Sequence, residues 1–77
     1  MKLKKLPTIG QKFSKVIYCS EDGEPIVVYH DVKIDNKFTA KRNPKHESYV
    51  SLASSKFYGI PYMRIYPMDL NCWRFIK

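Results

Sequence analysis

The sequence predicts a small α+β fold in which an antiparallel sheet, a three-stranded meander plus two C-terminal strands, carries one packed helix. Three features point to it. Two β-branched runs flank Asp22-Gly23 in VIYCSEDGEPIVV; an amphipathic segment with helix-ending residues follows in NPKHESYVSLASSKFYGIP; and two short alternating runs, YMRIY and CWRFIK, close the chain. At 77 residues there is room for one domain, near the size limit for a single core, since a domain this small buries only about 60 to 65 per cent of its unfolded surface. The 44% hydrophobic and 14% aromatic content belongs to a globular chain rather than a disordered one.

The first hairpin rests on Asp22-Gly23, a pair that accepts the positive φ angles of a type I′ turn. Centred there, the turn sets Cys19 against Ile26 and Ile17 against Val28. Pro25 then opens the second strand, where its missing N–H does little harm. A second reversal is expected at Asp35-Asn36-Lys37, because Asn tolerates the left-handed conformation; it places Ile34 opposite Phe38, Val32 opposite Ala40 and Asp31 opposite Lys41. The expected core face is Ile17, Cys19, Ile26, Val28, Val32, Ile34, Phe38 and Ala40. The opposite face holds Val16, Tyr18, Val27 and Tyr29 at one end and Lys33, Thr39 and Lys41 at the other. Its tyrosines are either covered by the rest of the chain or open to a partner.

The helix is expected after Asn43, an N-cap residue, with Pro44 at the first helical position and Gly59 just past the end. Leu52, Tyr49, Ala53, Phe57 and Val50 share one arc of the helical wheel, opposite the serines and Glu47. Four serines weaken that reading, and YVSLAS also alternates as a strand would. After Pro61, Met63 and Ile65 alternate with Tyr62, Arg64 and Tyr66. After Asp69-Leu70-Asn71, Trp73 and Phe75 alternate with Cys72, Arg74 and Ile76, which makes two short strands. If the helix fails, a small β-barrel is the alternative. Residues 1–12 read as a basic N-terminal arm and 13–77 as the single α+β domain.

Fourteen Lys and Arg against seven Asp and Glu give a net charge of +7. The charge is segregated along the chain. Residues 1–16 carry five lysines and no acid, 17–36 five acids and one lysine, and 37–46 four bases and no acid. No apolar run approaches the roughly 18 residues of a membrane span, and no signal peptide precedes Pro7. Cys19 and Cys72 are too few and too far apart for a disulfide scaffold. They read as buried thiols in a reducing compartment, the cytoplasm, with a 19–72 disulfide as the alternative.

Catalysis has few candidates: Cys19, Cys72, His30 and His46. Asp31 adjoins His30, but neighbours on a strand point to opposite faces. The same four residues lack the close pairs that nucleate a zinc site, so no metal and no cofactor is expected. The remaining constellation is electrostatic. Lys37, Lys41, Arg42 and Lys45 run from the third strand into the helix start, a combination suited to phosphate, unless Asp31 and Asp35 neutralise Lys41 and Lys37. Lys4 and Lys5 in KLKKLP extend the basic surface if the arm reaches a partner, and otherwise belong to a mobile tail. Of the aromatics, Trp73, Phe38, Phe57 and Tyr49 are expected inside, and Tyr18, Tyr29, Tyr62 and Tyr66 are candidates for contact with a partner.

The stretch DGEPIVVYHDVKIDNKFTAKR, followed by SSKFYGIP, resembles the small accessory proteins of bacteriophages, anti-CRISPR-type inhibitors among them. That resemblance covers under half of the chain. It implies a protein that binds and blocks a host nucleoprotein machine in the host cytoplasm, with no active site of its own. The expected function is therefore non-catalytic binding and inhibition of an anionic host protein or nucleoprotein complex through Lys37, Lys41, Arg42, Lys45, Lys4 and Lys5, with Tyr18 and Tyr29. The alternatives are sequence-tolerant DNA or RNA binding by the same bases and, last, a thiol-dependent enzyme. A homodimer remains open, since a sheet with two apolar faces can be completed by a second copy.

Overall fold

The computed structural model describes residues 2–43, 48–59 and 63–77, with side chains at all of these but 55 and 57–59. Five strands form one antiparallel sheet: β1 (Lys12–Cys19), β2 (Pro25–Phe38), β3 (Tyr49–Gly59), β4 (Arg64–Ile65) and β5 (Trp73–Ile76), in the spatial order β4-β3-β2-β1-β5. A short 3-10 helix, Pro67–Cys72, carries the chain from the β4 edge to the β5 edge and buries Leu70 on the way. The sheet curls into a half-barrel around one core: Phe13, Val16, Val27, Tyr29, Val32, Ile34, Val50, Leu52, Ile65, Leu70, Trp73 and Phe75. Leu3 and Leu6 of the N-terminal segment pack against it, while Lys4 and Lys5 are exposed.

This is a small β fold, and the packed helix of the α+β expectation is absent from residues 49–59, which form β3. Val50 and Leu52 are buried while Tyr49 and Ser51 are half-exposed and Ala53 exposed, which is period-two burial. The apolar arc on the helical wheel was equally an alternating row. Pairing with the long β2 decides between them, because it sets Leu52 against the buried Ile34. The helix start at Pro44, Lys45, His46 and Glu47 lies outside the described residues.

The first hairpin forms where expected, but with a longer turn. Gly23 N–H donates to the Ser20 carbonyl at 2.9 Å and Ser20 N–H to the Glu24 carbonyl at 2.8 Å, with Gly23 at φ +85°. That is a loop ending in a left-handed residue rather than a two-residue type I′ turn. Ile17 faces Val28 as expected, but the extra residue slips Cys19 from Ile26 to Pro25. The second reversal does not occur. β2 runs straight through residues 35–37, Asn36 and Lys37 pair with Ser51 and Val50, and Asp35 is absorbed as a bulge after Ile34.

The core face is the other one along the first half of the meander. Phe38, 49% exposed, is turned outward by the bulge at Asp35, whereas nearer the first turn Val16, Val27 and Tyr29 are buried and Ile17, Ile26 and Val28 only half-buried. The cause lies at Asp31, which has φ +53°. Buried positions run 27 and 29, then 32 and 34 on β2, and 13 then 16 on β1, with the register between the strands unbroken. Both strands therefore change the side they present at the same place, a crease running through Ser14 and Asp31. Hydroxyls serve this crease: Ser14 Oγ lies 3.1 Å from the Ile76 carbonyl, and Ser54 Oγ donates to the His30 carbonyl. Without the crease, Val32 and Ile34 would face away from Val27 and Tyr29.

A residue held at positive φ favours Gly and disfavours β-branched side chains. Asp31→Gly is thus expected to stay within about 0.5 kcal/mol of the wild type, and Asp31→Val to lose about 2 kcal/mol. Urea unfolding followed by circular dichroism checks both; a valine tolerated at no cost would refute the crease.

Candidate functional site

The register of the sheet decides what lies on its outer face. Val16, Phe13, Val32 and Val50 point inward, so the residues between them point out. One outward row is Lys12, Lys33 and Ala53; beyond the crease another is Lys15, His30 and Lys56; at the β4 edge Asn36, Ser51 and Arg64 align, and at the β5 edge Arg74 faces Ile17. Strand alternation has thus gathered bases that are scattered in sequence. Lys12 and Lys33 stand directly opposite each other on neighbouring strands. Like charges so placed destabilise a sheet by a few tenths to about 1 kcal/mol. Asp31 is close by in the chain, yet among the described residues neither lysine makes an ion pair with a carboxylate. Glu21, Asp22 and Glu24 sit in the turn before β2, at the opposite end of that strand from Phe38.

At that far end the outer face becomes aromatic. Phe38 stacks on Tyr49 with ring centroids 5.4 Å apart and planes 22° from parallel. The Arg64 guanidinium lies over the Tyr49 ring, 4.9 Å from its centroid, and Tyr66 meets Tyr49 at 5.4 Å with a 54° tilt. The pKa of Arg64 is raised above the ordinary arginine value, chiefly by its hydrogen bond with Tyr66 and then by electrostatic attraction to Tyr49 and Tyr66. An arginine is charged at any working pH, and its place over the Tyr49 ring is a cation–π contact. An open groove of about 410 Å³ runs beside this column, lined by Asn36, Lys37, Phe38, Tyr49, Ser51 and Arg64.

No protein-family model, curated protein or solved structure matches the chain. The site must be read from its own chemistry.

The sequence-derived site residues separate into groups. Lys37 lies in the groove, and Lys41 and Arg42 are exposed in the segment after β2, where Ala40 is buried and its N–H donates to Ser48 Oγ at 3.3 Å. Among the described residues none of the three is tied to a carboxylate, so the alternative in which Asp31 and Asp35 neutralise Lys41 and Lys37 is not what is found there. Lys45 lies outside the described residues, as does Tyr62. Lys4 and Lys5 are exposed on a segment anchored by Leu3 and Leu6. Tyr29 is fully buried and stacks near Trp73, and Tyr18 is half-buried with its ring 4.8 Å from that of Trp73. Tyr29 therefore corrects the expectation of a contact residue: its ring belongs to the core because the core lies on its side of β2.

Sequence reasoning missed Phe38, Tyr49 and Arg64 as surface groups, having placed the two rings inside. It also missed Lys12, Lys15, Lys33 and Lys56 as one face. The alternating reading of YVSLAS held the signal for Tyr49, since burying Val50 and Leu52 as a strand turns Tyr49 outward. Elsewhere, Cys19 is buried, Cys72 half-buried, and both are free thiols. Among the described residues no group of three His, Cys, Asp or Glu side chains could hold a metal ion, and no helix is long and apolar enough to cross a membrane.

Proposed function

We propose that this protein is a non-catalytic binding protein whose outer sheet face holds a nucleic-acid strand in a sequence-tolerant way. The observation that supports this most is the unneutralised Lys12–Lys33 pair, set in a face of outward bases that ends in an aromatic column. Phosphates relieve exactly the repulsion that the fold leaves in place, and release of condensed counterions drives the association. The aromatic groups favour nucleic acid over an acidic protein surface, because a carboxylate partner has no use for a stacking column. A nucleoprotein complex offers the same phosphates, so engagement and inhibition of a host machine, the role implied by the phage-protein resemblance, would use this face too.

Fluorescence anisotropy with labelled DNA and RNA oligonucleotides of about 16 nucleotides tests the reading. Binding is expected at about 50 mM salt, weakening as salt rises with a log-log slope of about −0.7 per phosphate contacted on a single strand. Failure to retain either nucleic acid at about 50 mM salt would refute it and point to an acidic protein surface as partner.

A further inference from the structure

The aromatic column has one open end. Tyr49 lies between Phe38 and the Arg64 guanidinium in strand order, and among the described residues Tyr49 is the one ring in contact with Phe38. β1 begins at Lys12, opposite Lys33, and the chain before it bonds β2 at Ile34, through Gly10 N–H and the Gln11 carbonyl. Among the described residues, therefore, no strand flanks β2 at Phe38 on the side away from β3, and the ring remains 49% exposed. A half-exposed phenyl ring in a stack of planar groups, beside a groove edged by the Arg64 cation, is a poor solution for folding alone. Its chemistry suits a planar, partly polar ligand that carries negative charge.

Resting on the nucleic-acid reading, we propose that Phe38 and Tyr49 form a site for an unpaired nucleobase, which extends the column by stacking on the open face of Phe38. The strand's adjacent phosphate enters the groove, where Arg64 supplies charge and Asn36 and Ser51, in the same outward row, supply hydrogen-bonding groups. A base inside a duplex cannot reach this site, because both of its faces are already stacked. The protein is accordingly selective for single strands, and the selectivity comes from the column and not from the lysine rows, which would serve either form.

Three ligands of one length separate the two contributions: a base-bearing single strand, its duplex, and an abasic strand that keeps the phosphates and lacks the bases. The full chain is expected to bind the base-bearing single strand roughly 5- to 100-fold more tightly than the abasic one, and more tightly than the duplex. In Phe38→Ala, the difference between base-bearing and abasic strands should vanish. Circular dichroism establishes that this variant is folded; should it not fold, the abasic comparison on the wild type decides alone. Equal affinity for the base-bearing and abasic strands, or preference for the duplex, overturns the nucleobase site while leaving phosphate binding intact. Loss of binding to all three overturns the nucleic-acid reading itself and leaves a protein surface as the partner.

Discussion

Trp73→Ala is expected to lower the unfolding free energy by about 3 to 5 kcal/mol, a large share of a margin that for a chain of this size is of the order of 4 to 12 kcal/mol. Trp73 is 1% exposed and is in ring contact with Tyr18 and Tyr29, so its removal opens a cavity at the point where β5 closes the half-barrel. β5 is only four residues long and pairs with β1 alone, so its two buried side chains, Trp73 and Phe75, supply its hold on the core. Trp73 Nε1 is buried and has no hydrogen-bond partner among the described residues. Trp73→Phe, which deletes that unsatisfied donor while keeping a ring, should therefore cost well under half as much. Urea midpoints read by circular dichroism check both; an alanine variant within about 1 kcal/mol of wild type would mean the core is not centred there.

The strands at each end of the chain were legible because their signals are local. Gly23 turns the first hairpin wherever the rest of the chain goes, and the alternation that buries Trp73 and Phe75 is visible in CWRFIK alone. The interior was harder. Reading β2 with a constant period of two joins Ile26 and Val28 to Val32 and Ile34, and that choice is right for the second pair and wrong for the first. Asp31 resets the period, and its signal is the three-residue step from Tyr29 to Val32, both of them buried. The sheet partner of β2 was also non-local. Asp35-Asn36-Lys37 has good turn chemistry, but an eleven-residue β3 pairs along β2 past that point and reduces the turn to a bulge.

The binding face followed the same logic. The bases that cluster along the chain, Lys37, Lys41 and Arg42, are exposed. The rows that carry the proposal depend on which residues become neighbours across strands: Lys12 and Lys33 are far apart in sequence and opposite in the sheet. No composition or charge run reveals that.

Lys33→Glu is the second large effect expected, and its signature is a change of opposite sign in two properties. In the sheet it turns the Lys12–Lys33 repulsion into an attraction, which should raise stability by a few tenths to about 1 kcal/mol. For a nucleic acid it removes one phosphate contact and adds a repelling carboxylate at the middle of the outer face. The expected loss is roughly 10- to 100-fold in affinity at about 50 mM salt. A residue kept only for the fold would show the two properties moving together. On the proposed reading, a charged ligand accounts for a like-charged pair that the sheet itself does not need.

The most direct measurement is the salt dependence of single-strand affinity for wild type and Lys33→Glu, taken side by side with their urea midpoints. A protein that uses its outer face gives a variant that unfolds later, binds more weakly, and has a log-log slope shallower by at least about 0.7. Identical slopes and affinities for the two proteins, with the variant folded, would contradict the assignment of the outer face as the place where phosphate is met.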